Sequence, residues 1–389
     1  MDPRALLAIA GAYLFLLFII SWRTGRNSDN RTFFSANRSS PWPLVAFGMI
    51  GTTLSGVTFI SIPGVIGAGG LNQGFSYMQV CLGYLLGYAV VSLVLLPLYY
   101  KLNLTSIYAY LKQRFGFASH KTGASFFLLS RIIGAAFRLY LVGMVLDAFV
   151  LGPLGIPFWV TVAATIVLIW LYTFRGGIKT VVWTDTVQTA AMLLAVILTV
   201  FALANAMDWG PGDMVQAIRK SDYSQWFFFE GGWGDPNNFF KQFLGGAFLT
   251  IVMTGLDQDM MQKNLTCKTL PDAQKNMFVF SGVLFFVKLM FVGLGALLFI
   301  YATETNIAIA SEGCALCLQE SLDPLMSCGF NCERTDQLFP SIALGSLHPL
   351  VGAVFLIGLI AAAYSSADSA LTALTTSFCV DILDMEEKQ

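Results

Sequence analysis

The sequence predicts an all-α membrane protein, a bundle of about nine transmembrane helices, and three observations carry that prediction. Charged residues make up 12% of the 389, half of the roughly 25% usual in soluble domains. Hydrophobic residues reach 56%, with a mean hydropathy of +0.69. Apolar stretches of spanning length recur at 4–22, 43–68, 76–100, 122–151, 157–174, 180–206, 239–262, 276–302 and 348–378, each near or above the roughly 20 residues that cross a bilayer core. The net charge of −1 leaves no basic footprint for nucleic acid. Two histidines are too few for a His-based metal centre, and no His/Cys/Ser constellation points to an enzyme.

Each element follows in order. The run 4–22 precedes Arg23, Arg26 and Arg31, which suits a spanning helix anchored on the cytoplasmic side better than a cleavable leader. If the chain starts outside, 14 of the 22 Lys and Arg fall in cytoplasmic segments and five on the outer side. That bias predicts an outer N-terminus and a cytoplasmic C-terminus, in the plasma (inner) membrane. Segment 207–238, rich in Trp, Phe, Gly and Asp, is expected to be an outer, interfacial lid. Segment 303–340 carries Cys314, Cys317, Cys328 and Cys332. Their spacing permits a zinc site, and an oxidising outer compartment favours two disulfides instead.

Three polar islands interrupt the apolar helices. The last span continues as AAAYSSADSALTALTTSFCVDI, with seven Ser/Thr hydroxyls and the carboxylate of Asp368. At 100° per residue, Ser365, Ser369, Thr372 and Thr376 share a face about 60° wide. Such hydroxyls either bond back to their own helix or, with a carboxylate beside them, serve as hard ligands for a small cation. The second island is FGMIGTTLSGVTFISIPG, residues 47–64. Gly51 and Gly56 weaken the helix, and an unwound turn there frees the carbonyls of Gly51 to Leu54, either for close packing or to line a cavity. The third is GGIKTVVWTDTVQ, residues 176–188, in which Asp185 enters a span and needs a cation or an arginine. Arg138 and Lys288 also lie far from helix ends.

The GTTLS turn, the GG-IKTVVWTD-TVQ stretch, LDQDMMQKN (256–264) and AAAYSSADS-L ending in DI occur in one order. Together they resemble the sodium:solute symporter family. The resemblance implies a leucine-transporter-like fold of two inverted five-helix repeats behind a leading helix, with broken helices around a midplane site. On that template, 1–42 is the leading helix and its cytoplasmic loop, 43–206 the first repeat, 207–238 an outer loop, and 239–389 a partial second repeat lacking its last helices.

The resemblance further implies one sodium held by carbonyls at Gly51, Leu54 and Ala362 and hydroxyls at Ser365 and Ser366. A second sodium is expected at Asp185 with the hydroxyls of Ser365 and Ser369, and Asp368 as an extra carboxylate. Positions facing the solute are Ser55, Thr58, Gln79, Arg138, Thr254, Lys288 and Ser369. The expected function is sodium-coupled import of a small polar solute: a sugar, a sugar acid such as sialic acid, or another organic anion. Arg138 favours a carboxylate, because a buried guanidinium fork matches one bidentately; capping carbonyls or pairing with Asp257 is the alternative. A non-transporting sensor that signals through a partner is the competing expectation.

Overall fold

Inside a bilayer each backbone N–H and C=O must find its partner within the segment, so helices dominate. The computed structural model describes residues 3–26, 30–67, 73–174, 176–305, 307 and 335–385. Among these no strand forms, and one isolated bridge links Ser40 to Cys267. The four outer cysteines lie outside the described residues.

The principal helices are α1 (Pro3–Thr24), α2 (Trp42–Thr53), α3 (Gly56–Val65), α4 (Tyr77–Lys101), α5 (Phe117–Leu146), α6 (Phe158–Thr173), α7 (Gly177–Ala206), α8 (Phe239–Gly255), α9 (Gln258–Leu265), α10 (Leu270–Glu304) and α11 (Pro349–Ile382). Six of them are long and apolar enough to cross a membrane singly. Two further spans are bent pairs: α2 with α3 at 59°, and α8 with α9 at 64°. The expected ninth span, α6, has 16 residues and falls short of that length.

The two breaks have local causes. Pro43 starts α2 within its first turn, and Pro63 sits inside α3. Between them Leu54 (ψ 71°) and Ser55 (ψ 167°) leave helical geometry. The second pair is re-initiated by Asp257, whose carboxylate accepts the Asp259 N–H at 2.9 Å, a side-chain N-cap.

Burial ranks the helices from centre to rim. In α11, 78% of the spanning window is buried, against 17% in α1 and α5. The outward faces carry exposed Phe126, Phe137 and Trp159, as a lipid-facing surface would, while Asp185, Lys263 and Asp368 are enclosed. Close helix approach rests on small residues, as is usual in membranes. A Cβ on Gly83 or Gly246 would run into the Phe243 or Val80 carbonyl of the facing helix, α8 or α4. One on Gly51 would collide with Thr189 Oγ1 of α7.

Candidate ion site and solute cavity

The break between α2 and α3 sets four carbonyls loose. Leu54 still bonds back to Ile50 and Phe59 to Ser55. Among the described residues no hydrogen bond reaches the carbonyls of 51 to 54 from the amides of 55 to 58. At the other break, two carbonyls are taken by side chains: Tyr99 donates to the Gly255 carbonyl at 2.9 Å and Tyr108 to that of Leu256 at 3.2 Å. Among the described residues the first break leaves all four of its carbonyls, 51 to 54, without such a partner. It faces the last helix, because Thr52 Oγ1 lies 3.5 Å from Ser365 Oγ. Beside it the Ser366 hydroxyl is buried with no hydrogen-bond partner, and Ala362 is fully enclosed. Buried polar atoms are almost always paired, so an orphaned hydroxyl next to released carbonyls suits a small hard cation.

The hydroxyls of α11 divide between the two readings open at the sequence level. Thr372, Thr375 and Thr376 bond back to the carbonyls four residues earlier at 2.8–2.9 Å. Ser365 and Ser369 instead point across the bundle. Ser365 Oγ donates to Asp185 Oδ1 at 2.6 Å. Asp185 Oδ2 accepts from Thr52 at 3.2 Å and pairs with Lys263 Nζ at 2.5 Å. Lys263 Nζ also donates to Ser369 Oγ at 2.6 Å and to Thr52 Oγ1. The ligands expected for a second sodium thus converge, yet around an ammonium. Asp368, also buried, is held by hydroxyls: Tyr172 at 2.8 Å, Ser369 at 3.3 Å and Thr184 at 3.4 Å.

A cavity of about 190 Å³ lies beside the first break. Of the expected solute residues, Ser55, Thr58, Arg138, Thr254 and Lys288 line it, and Tyr77, Tyr84, Tyr88 and Arg131 join them. Among the described residues the hydrogen-bond partner of Lys288 Nζ is the Tyr77 hydroxyl, at 3.2 Å. Arg138 makes no ion pair among the described residues; Asp257 and Asp259 are taken by Arg131, the former at 3.5 Å. Asp257 therefore makes its ion pair with Arg131, while its charge still acts on Arg138 from beyond ion-pair distance.

Two expected solute residues sit elsewhere. Gln79 does not line the cavity: its amide donates to the Asn237 carbonyl at 2.9 Å and accepts from Phe228 N–H at 3.2 Å, pinning the outer segment. Ser369 belongs to the Lys263 cluster. Lys263 and Arg131 escaped sequence reasoning. The signal was present in LDQDMMQKN, where Lys263 follows Asp257 by six residues on a short helix, but nothing local says that its tip reaches Asp185.

The model of the family described as sodium:solute symporter family matches residues 33–388. The chain is 26% identical over 392 residues to the sodium/sialic acid symporter NanT of Aliivibrio fischeri, covering 99% of this chain and 70% of that protein. It is 24% identical to the human sodium/iodide cotransporter, covering 73% of this chain and 43% of that one. With the sodium-coupled monocarboxylate transporter 1 of Xenopus laevis the identity is 24%, with 92% and 54% covered. A solved structure of a Na+-coupled sialic acid symporter, in a substrate-bound outward-open state, superposes with a TM-score of 0.81 at 22% identity, covering 97% of this chain and 74% of that one. That likeness carries the fold.

Proposed function

Because the chain belongs to the sodium:solute symporter family, whose members transport rather than catalyse, we propose that it imports a small organic anion, a sugar acid such as sialic acid, coupled to sodium. The observation that carries the solute class is the cavity itself. It presents Arg138 and Lys288 with no acid paired to either among the described residues, and it is edged by Ser55, Thr58 and Thr254 hydroxyls. Two cations that make no ion pair among the described residues, in a partly enclosed space, favour a carboxylate over a neutral ligand.

Sodium binds at the first break, through the carbonyls of Gly51, Leu54 and Ala362 and the hydroxyls of Ser365 and Ser366. The released carbonyls and the orphaned Ser366 hydroxyl support this assignment. The chain sits in the plasma membrane with its N-terminus outside and its C-terminus in the cytoplasm, as the Lys and Arg distribution suggests. The sensor reading gains no support, since the family and the matched relatives are transporters.

The test is uptake of labelled sugar acids and neutral sugars into proteoliposomes with and without a sodium gradient. Sodium-stimulated uptake of an acid is expected, and Ser366→Ala should lower sodium affinity while the protein still inserts. Uptake that ignores sodium in the wild type would overturn the reading.

A further inference from the structure

Lys263 is the one residue that the expected ion chemistry does not use and the structure places at its centre. Its side chain is 1% exposed. An ammonium has three donors, and here all three are spent on oxygens: Asp185 Oδ2 at 2.5 Å, Ser369 Oγ at 2.6 Å and Thr52 Oγ1. Two of those three oxygens belong to the ligand set expected for a second sodium. The lysine ammonium is a compact point charge on a long stem, so it brings a cation to this place while remaining bound to α9.

We infer that Lys263 is a tethered cation that stands in for a second sodium ion, leaving the protein with a single sodium site at the α2–α3 break. The inference rests on the proposed symport.

Charge and space both support it. A carboxylate as deeply buried as Asp185 needs a counter-charge, and Lys263 supplies one within contact. A sodium bound to Asp185 Oδ2 and Ser369 Oγ would occupy the volume that Nζ fills, and the two like charges would repel at contact distance. The first site is untouched by this exclusion: Ser366 Oγ and the 51–54 carbonyls make no bond to Lys263. Asp368 does not reopen the place, since its oxygens already accept from Tyr172, Thr184 and Ser369.

The tether also fixes geometry. Lys263 lies on the short half of a bent pair, whereas Asp185 and Ser369 lie on α7 and α11. The ammonium therefore ties the re-started helix to α7 and to α11, whose spanning window is 78% buried, as a mobile ion could not.

The deciding measurement counts sodium directly, by ²²Na+ equilibrium binding to the purified full-length gene product. One ion per chain with a Hill coefficient of 1 is expected for the wild type. Lys263→Met, or Lys263→Ala where the larger side chain disturbs folding, should bind two, and adding Asp185→Asn to that variant should return the count to one. Two ions in the wild type would overturn the inference, whether or not the variants fold. One ion in both wild type and variant would overturn it too. No ion in the wild type but one in Lys263→Met would keep the lysine assignment and remove the first-site reading instead. No ion in either removes both.

Discussion

Replacing Arg138 by glutamine isolates what the cavity asks of its solute. The change keeps a hydrogen-bonding, though shorter, side chain and removes the charge and the planar fork. Arg138 is half-buried and makes no ion pair among the described residues, so its guanidinium donors are available to a ligand, with the Asp257 charge acting on it from further off. A hydrogen bond to a charged group contributes about 1.5–3 kcal/mol, which at 1.4 kcal/mol per decade is roughly 10- to 150-fold in affinity. The low end is expected, because the guanidinium is partly solvated and Lys288 remains to hold some of the anion's charge. A neutral sugar, which needs neither cation, should lose less than about threefold. The assay is competition against a labelled sugar acid at saturating sodium, run on wild type and Arg138→Gln with a panel of acids and their neutral counterparts. If neutral sugars compete best on the wild type and Arg138→Gln binds them normally, the cavity does not select anions and the reasoning fails.

Two further outcomes test the frame around the sites. Gly51→Val should destabilise the protein by about 1–3 kcal/mol or more through overpacking, because its side chain would be driven into Thr189 of α7; a thermal melt in detergent unchanged from wild type would contradict that packing. Lys121 Nζ donates to the Asp381 and Ile382 carbonyls at 2.6 and 3.0 Å and to the Asp384 carboxylate at 2.5 Å, so Lys121→Met should speed amide exchange over residues 378–385. Hydrogen bonding from Lys121 holds the Asp384 carboxyl below its ordinary range. This contact is therefore present at neutral pH and is lost only as pH falls through the lowered value, which exchange measured against pH would show.

The elements were legible where the signal is local. Apolar length located the spans, and Gly51 and Gly56 around a run of β-branched and small residues located the first break to within a residue or two of Leu54. The hydroxyl stripe of α11 was visible as a stripe, but not its division of labour. Periodicity cannot separate Thr372, which serves its own helix, from Thr376, which also accepts from Gln262, or from Ser365 and Ser369, which meet Asp185 and Lys263 respectively. That difference depends on which neighbour stands opposite, a tertiary fact. The same limit explains Lys263 and Gln79. Both are long polar side chains whose tips lie several ångströms from their backbones, so a one-turn uncertainty in helix register moves them from one compartment to another. Arg131 and Arg138, seven residues apart on one helix, show it most plainly: two similar guanidiniums, of which one is neutralised by Asp257 and Asp259 and the other is left for a ligand.

On the proposed reading, the coupling of ion to solute follows from one turn of backbone. Leu54 and Ser55 are consecutive, and both leave helical geometry. The carbonyl of the first is offered to sodium, while the hydroxyl of the second, with Thr58 three residues on, lines the cavity. Holding such a turn in a single conformation costs about 1–2 kcal/mol of conformational entropy per residue, and the freed carbonyls gain nothing from the protein in return. A sodium ion that binds them meets that cost, so a solute arriving afterwards finds the rim of its cavity already in place. The gain in solute affinity then appears without any new protein–solute contact, as coupling through ordering alone allows, and it must be matched by an equal gain in sodium affinity when solute binds first. The second break is held more from within, because Tyr99 and Tyr108 donate to its Gly255 and Leu256 carbonyls and Asp257 caps its outgoing helix. The asymmetry between two otherwise similar bends thus assigns ion sensing to the first and a fixed wall, carrying Thr254 and the Lys263 tether, to the second.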